Sequence, residues 1–198
     1  MQRISRSLDS IFADIVDVVD PDSTVDEGAE VHTGAMVALL PSQKYKELLA
    51  IPGEEPPEEL HVTILYLGKA ADWEENAGVD KEHLIEVVQN IFSGFPEINA
   101  EINAHAVFNP DSDEPASVYL IGGEGAVTCR KLHEMVSEEA NSDHYSVEVP
   151  HDFPFYLPHM TIGYDCDVEK LSYSGPITFD TARIVFAGDM TDIPLRKG

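Results

Sequence analysis

Cysteine, basic residues and long apolar runs are all scarce in this chain. Cys129 and Cys166 are the only cysteines, without CxxC spacing or a disulfide framework, so a reduced, cytoplasmic protein is expected. No stretch approaches the roughly 18 apolar residues that cross a bilayer, and no membrane partner is expected. The opening MQRISRSLDSIF lacks a continuous apolar core and a small-residue cleavage site, and reads as a poor signal peptide. Lysine and arginine number 12 against 37 acidic residues, a formal charge of −25. Such a surface repels polyphosphates, and no basic cluster interrupts it beyond Lys44 to Lys46, Arg130-Lys131 and the terminal RKG. Long duplex nucleic acid is therefore a poor partner, and a phosphate substrate must be small or end-bound. The acidity otherwise reads as solubility or adaptation to high salt.

What is present divides into a short leader and a longer patterned region. Residues 1–30 combine an amphipathic helical spacing (Ile4, Leu8, Ile11, Phe12, Ile15, Val18, Val19) with an acidic linker, DPDSTVDEGAE. This helix is expected to dock on its own domain; the alternative is a segment that takes a protein partner. Residues 31–198 form the main domain. TGAMVALLPS reads as a buried strand, QKYKELLAI as a short helix with Tyr45, Leu48 and Leu49 inward, and PGEEPPEEL as a solvated acidic loop. HVTILYLG is the next strand, followed by a loop and a helix whose face is Leu84, Ile85, Val88, Ile91 and Phe92. EINAEINAHAVF and SVYLIGG read as strands. AVTCRKLHEMVSEEA reads as a helix with Val127, Leu132, Met135 and Val136 inward, and IGGEG before it as a tight turn. HMTIGYD is another strand, and PITFDTARIVFAGD one or two closing strands. Each half thus offers strand, helix and a strand bearing His-x-Thr. The expected fold is α+β: two pseudo-symmetric lobes of antiparallel sheet, helices outside, facing a central cleft.

The repeated phrase carries the chemistry. ELHVTILYLG, residues 59–68, and YLPHMTIGYD, residues 156–165, place His-x-Thr at offsets 98 residues apart. Alternation along a strand aims His61 and Thr63 one way, with Val62, Ile64 and Tyr66 opposed; His159 and Thr161 share a face, with Met160, Ile162 and Tyr164 opposed. Two such faces across a cleft confront two imidazoles and two hydroxyls. Displacement at phosphorus needs one group to take a proton from the nucleophile and another to protonate the leaving oxygen. Histidine performs either task near neutral pH, and threonine hydroxyls donate to the non-bridging oxygens. Phe155 and Tyr156 are candidates to stack on a base. His32, His83, His105, His133, His144 and His151 have no paired metal-ligand spacing and read as ordinary surface or core histidines.

The pair HVTILYLG and PHMTIGY resembles the two-histidine (2H) phosphoesterase superfamily, which includes RNA ligase-like proteins acting on 2′-5′ links and cyclic phosphodiesterases. The resemblance runs from Thr33 to about Asp189. It implies a bilobal fold, His61 and His159 as the catalytic pair, Thr63 and Thr161 as phosphate-holding hydroxyls, and no metal or other cofactor. It departs from RNA-acting members after the second motif, where Asp165, Asp167 and Glu169 stand in place of basic residues. The implied activity is metal-independent phosphodiester hydrolysis of a 2′,3′-cyclic phosphate, or of a 2′-5′-linked or cyclic oligonucleotide. Similar domains occur in bacteriophage-encoded proteins, where destroying a host nucleotide immune signal is one role of the superfamily. The competing reading is a catalytically idle nucleotide-binding module that docks to a larger assembly through its N-terminal helix.

Overall fold

The first strand, β1 (Gly34–Pro41, GAMVALLP), is buried along nearly all its length and lies inside the sheet, between β2 (Val62–Lys69) and β6 (Gly175–Phe186). The computed structural model describes residues 34–75, 81–142, 145, 147, 149, 150 and 155–197; the helix and linker expected over residues 1–30 lie outside them. β3 (Ile98–Phe108), β4 (Ala116–Gly122), β5 (His159–Tyr164) and β7 (Asp189–Pro194) complete one antiparallel sheet of seven strands, in the order β2-β1-β6-β3-β4-β5. β6 is long enough to serve both halves. Its first residues pair with β3, and its later ones with β1 on one edge and β7 on the other. The two expected lobes are therefore halves of one continuous sheet. Its terminal strands, β2 and β5, carry the two His-x-Thr motifs, and the sheet curves enough for them to touch.

Helices cover the sheet where the sequence has a 3.6-residue apolar stripe. α1 (Gln43–Leu49) buries Tyr45 and Leu49, while Leu48, expected inward, is 51% exposed: seven residues make only two turns, too narrow a contact for three apolar positions. α2 (Ala70–Glu75) occupies a stretch expected to be loop; the buried Trp73 anchors it, donating through Nε1 to the Leu67 carbonyl at 2.7 Å and meeting Tyr145 and Phe186 edge-on. α3 (Lys81–Ser93) buries Leu84, Val88 and Phe92, as its spacing predicts. α4 (Gly123–Ala140) buries Ala126, Cys129, Leu132, Val136 and Ala140. Val127, expected inward, is solvent-exposed, one position off that stripe. Each fully buried leucine or valine contributes roughly 1.5–3 kcal/mol. The GGEG stretch passes directly from β4 into α4, its last glycine lying in the helix's first turn. A Cβ on Gly125 would stand 2.2 Å from that of Ala100, so glycine lets α4 lie directly on β3. No helix among the described residues is long and apolar enough to cross a membrane.

Candidate functional site

β-Bulges decide what the two motif strands present. Along β1–β2 the pairing passes from Val37↔Leu65 to Ala38↔Thr63, leaving Ile64 as the extra residue. Along β4–β5 it passes from Ser117↔Gly163 to Val118↔Thr161, leaving Ile162 as the extra residue. The irregularity thus falls immediately after the threonine in both halves. A bulge reverses the alternation beyond it. Val62, Ile64 and Leu65 are all buried, whereas Tyr66 is half-exposed; Met160, Ile162 and Gly163 are buried, whereas Tyr164 is half-exposed. The expectation that Tyr66 and Tyr164 lie opposite the threonines is therefore wrong. Simple alternation holds only from histidine to isoleucine.

The two histidines are held alike. His61 Nδ1 lies 2.6 Å from the Glu59 carbonyl, and His159 Nδ1 lies 2.8 Å from the Leu157 carbonyl, each two residues upstream. A carbonyl can only accept, so Nδ1 carries the proton, and in the neutral ring the lone pair sits on Nε2. His159 also packs against Phe108, with ring centroids 4.6 Å apart. Phe108 pairs with Ala116, two residues along β4 from Val118, the partner of Thr161, so Phe108 shares the face of Thr161. That aromatic wall was not legible in the sequence, where Phe108 simply ends a strand.

Cross-links between the halves hold the two strands. The Ile64 carbonyl, turned off the ladder by the bulge, accepts from His133 Nδ1 at 2.7 Å; the Ile162 carbonyl accepts from the Glu55 backbone N–H at 3.0 Å. Tyr156 donates its hydroxyl to the Thr63 carbonyl at 2.9 Å and stacks on His133, rings 4.3 Å apart and nearly parallel. Burial pushes its phenol well above the ordinary value. Tyr156 is thus tied into the first half's strand, with one ring face covered by His133. Phe155, one residue earlier, is 73% exposed. His133, read from the sequence as ordinary, links α4 to the bulge.

The acidic loop before β2 also departs from expectation. Glu54 is largely buried, paired with Lys170 at 3.0 Å and lying where a Cβ on Gly163 would be, 2.5 Å from its Oε2. Burial, with the neighbouring Glu59, raises the Glu55 carboxyl above its ordinary value. The loop is a clasp on β5 because Gly163 leaves room for it. Electrostatically, Thr63 pairs with Ala38, Ala38 with Arg183 and Arg183 with Asp192, so one row places a guanidinium on the Thr63 face. Asp192 neutralises it through two bonds of 2.6 and 3.0 Å, and the guanidinium holds that carboxyl below its usual range. Among the described residues no group of three or more His, Cys, Asp or Glu side chains is gathered to hold a metal ion. Both cysteines are buried, and burial pushes the Cys129 thiol up to about 12, far from nucleophilic range.

Solved structures share this architecture. Thermus thermophilus protein TT0787 superposes with a TM-score of 0.57 at 16% identity, covering 83% of this chain and 98% of its own. Usb1 of Kluyveromyces marxianus gives 0.51 at 10% identity, covering 84% and 100%, and its structure with uridine monophosphate gives 0.50 at 9% over the same shares. No curated protein sequence matches the chain. The family model of the 2′-5′ RNA ligase superfamily matches residues 43–175, a span that contains both His-x-Thr strands, and the chain belongs to that superfamily.

Proposed function

We propose that the protein is a metal-independent phosphodiesterase acting on a 2′,3′-cyclic phosphate or on a 2′-5′-linked or cyclic oligonucleotide, in the manner of two-histidine phosphoesterases. The observation that carries this reading is the twin histidine, each with Nδ1 turned to a carbonyl two residues upstream, so that the two rings are held alike. One neutral imidazole takes a proton from water as its oxygen attacks phosphorus. The other, protonated, donates to the ribose oxygen as the P–O bond breaks. Thr63 and Thr161 donate hydrogen bonds to the non-bridging oxygens as charge accumulates there. Each proton-transfer partner contributes roughly 10²–10⁴-fold.

The size and end-bound character of the substrate follow from charge. A chain of −25, with Arg183 neutralised by Asp192, offers little to a long polyanion. The uridine monophosphate bound in the Usb1 structure is a ligand of the expected size. Phe155 supplies exposed aromatic surface one residue before Tyr156 and four before His159, suited to a base. Cleavage of a nucleotide immune signal is the biological role that fits this activity.

The test is turnover of nucleoside 2′,3′-cyclic phosphates and 2′-5′-linked or cyclic oligonucleotides in EDTA. Wild-type turnover that falls at least 10³-fold in His61→Ala and in His159→Ala supports the reading. Unchanged activity in either variant, or nucleotide binding with no turnover in the wild type, overturns it.

A further inference from the structure

Past the threonines the motifs still agree: His61-Val-Thr-Ile-Leu-Tyr66 and His159-Met-Thr-Ile-Gly-Tyr164 both read H-x-T-I-x-Y. In a regular strand the tyrosine would point away from the threonine. The bulges at Ile64 and Ile162 put it on the same side. Thr63 pairs with Ala38 and Tyr66 with Met36, two residues apart on β1, which is regular against β6 through this stretch. Thr161 pairs with Val118 and Tyr164 with Ala116, two residues apart on β4, which is regular against β3. Directly paired residues share a face, as do residues two apart. Each strand therefore lines up histidine, threonine and tyrosine on its site face. Threonine sits between, with tyrosine about 7 Å beyond it along the strand. Phe108, on the row of Tyr164 and Ala116, packs against His159, which ties that row to the catalytic imidazole.

We propose that Tyr66 and Tyr164 are a matched pair of nucleoside contacts, one for each side of the scissile phosphate. The preferred substrate is then a diester with a base on both sides, such as a linear or cyclic dinucleotide, in preference to a one-base nucleoside cyclic phosphate. The inference deepens the phosphodiesterase reading and rests on it. Repeating the trio on both strands presents the same aromatic group to each substituent of a phosphodiester whose phosphorus lies between the threonines. A separation of about 7 Å also matches the reach from a phosphate to its own nucleoside. Stacking tolerates any base and is lost when the ring becomes aliphatic, but keeps most of its strength when only the hydroxyl is removed.

The experiment compares 2′-5′-linked diadenosine monophosphate with adenosine 2′,3′-cyclic phosphate, in the wild type and in Tyr66→Leu, Tyr66→Phe, Tyr164→Leu and Tyr164→Phe. Each leucine variant is expected to raise KM for the two-base substrate about 10-fold, and each phenylalanine variant by less than about 2-fold. On the one-base substrate only one leucine variant loses comparably, so the preference between substrates collapses. Equilibrium binding of both compounds to the His61→Ala, His159→Ala double variant, with and without each leucine change, reads the same contacts without turnover. A loss of catalysis in the wild type would therefore sink the phosphodiesterase reading while this measurement still judges the tyrosines. If neither leucine variant weakens binding of the two-base compound, or if both of them weaken the two compounds equally, the inference is overturned.

Discussion

The first motif strand and the second are alike in what they present and unlike in what supports them. Both carry a histidine tied to a carbonyl two residues back, a threonine, and a bulge at the following isoleucine. The bulge carbonyl is satisfied by a side chain from α4, His133, in the first half, and by a loop backbone, Glu55, in the second. The residue after the isoleucine is the buried Leu65 in one strand and Gly163, under the Glu54 clasp, in the other. The helices between strands run from Gln43 to Leu49 and from Gly123 to Ala140, 7 and 18 residues. The lesson is that a bulge carbonyl must find a donor off the ladder. Any donor will serve, so the supports differ while the two site faces match.

The largest expected effect separates the two histidines. The pH profile of residual kcat/KM should lose its acidic limb when the base is replaced and its basic limb when the acid is replaced. His61→Ala and His159→Ala should thus lose opposite limbs, and loss of the same limb in both variants would remove the division of labour. Next come the positions after the isoleucines. Leu65→Ala opens a cavity and should destabilise by about 2–5 kcal/mol in denaturant unfolding. Gly163→Ala forces Glu54 aside and should cost about 1–3 kcal/mol, part of it recovered with Glu54→Ala as a second change. If Gly163→Ala is neutral, the clasp is loose and the halves are more alike than described.

A smaller effect belongs to Tyr156→Phe, which removes the bond to the Thr63 carbonyl. Stability should fall by about 1 kcal/mol, and kcat severalfold with KM little changed. The smallest is at Glu55, where burial raises the carboxyl. A carboxyl raised in the folded state contributes stability that is fully present below its unfolded pKa and lost as pH rises through the folded one. That stability is lost once pH passes the raised value, so Glu55→Gln should raise Tm by about 1–2 °C at neutral pH. The gain should vanish below the ordinary value of 4.5, and a gain at all pH values would remove the titration from the explanation.

The helical stripes of α3 and α4 were legible because apolar spacing survives whatever the helix packs against. Leu48 and Val127 were misplaced because the depth of a helix's contact depends on its partner and on its length. α2 was missed because six residues carry too little periodicity to read. The two His-x-Thr motifs, with His61, Thr63, His159 and Thr161, were legible from repetition alone, and their proposed catalytic role starts from that repetition. Phe108, His133 and Glu54 were not, since each acts on a residue at least 51 positions away in the chain.

By itself the sequence determined the family, the His-x-Thr pairs and their common face, because strand alternation over three residues is a local property of the backbone. Only the tertiary structure decided that Ile64 and Ile162 bulge, that Tyr66 and Tyr164 therefore join the threonines, and that one sheet curves until β2 meets β5. The physical reason is that a bulge exists only as a mismatch between two strands. Neither strand's residues can announce where its partner will lose step.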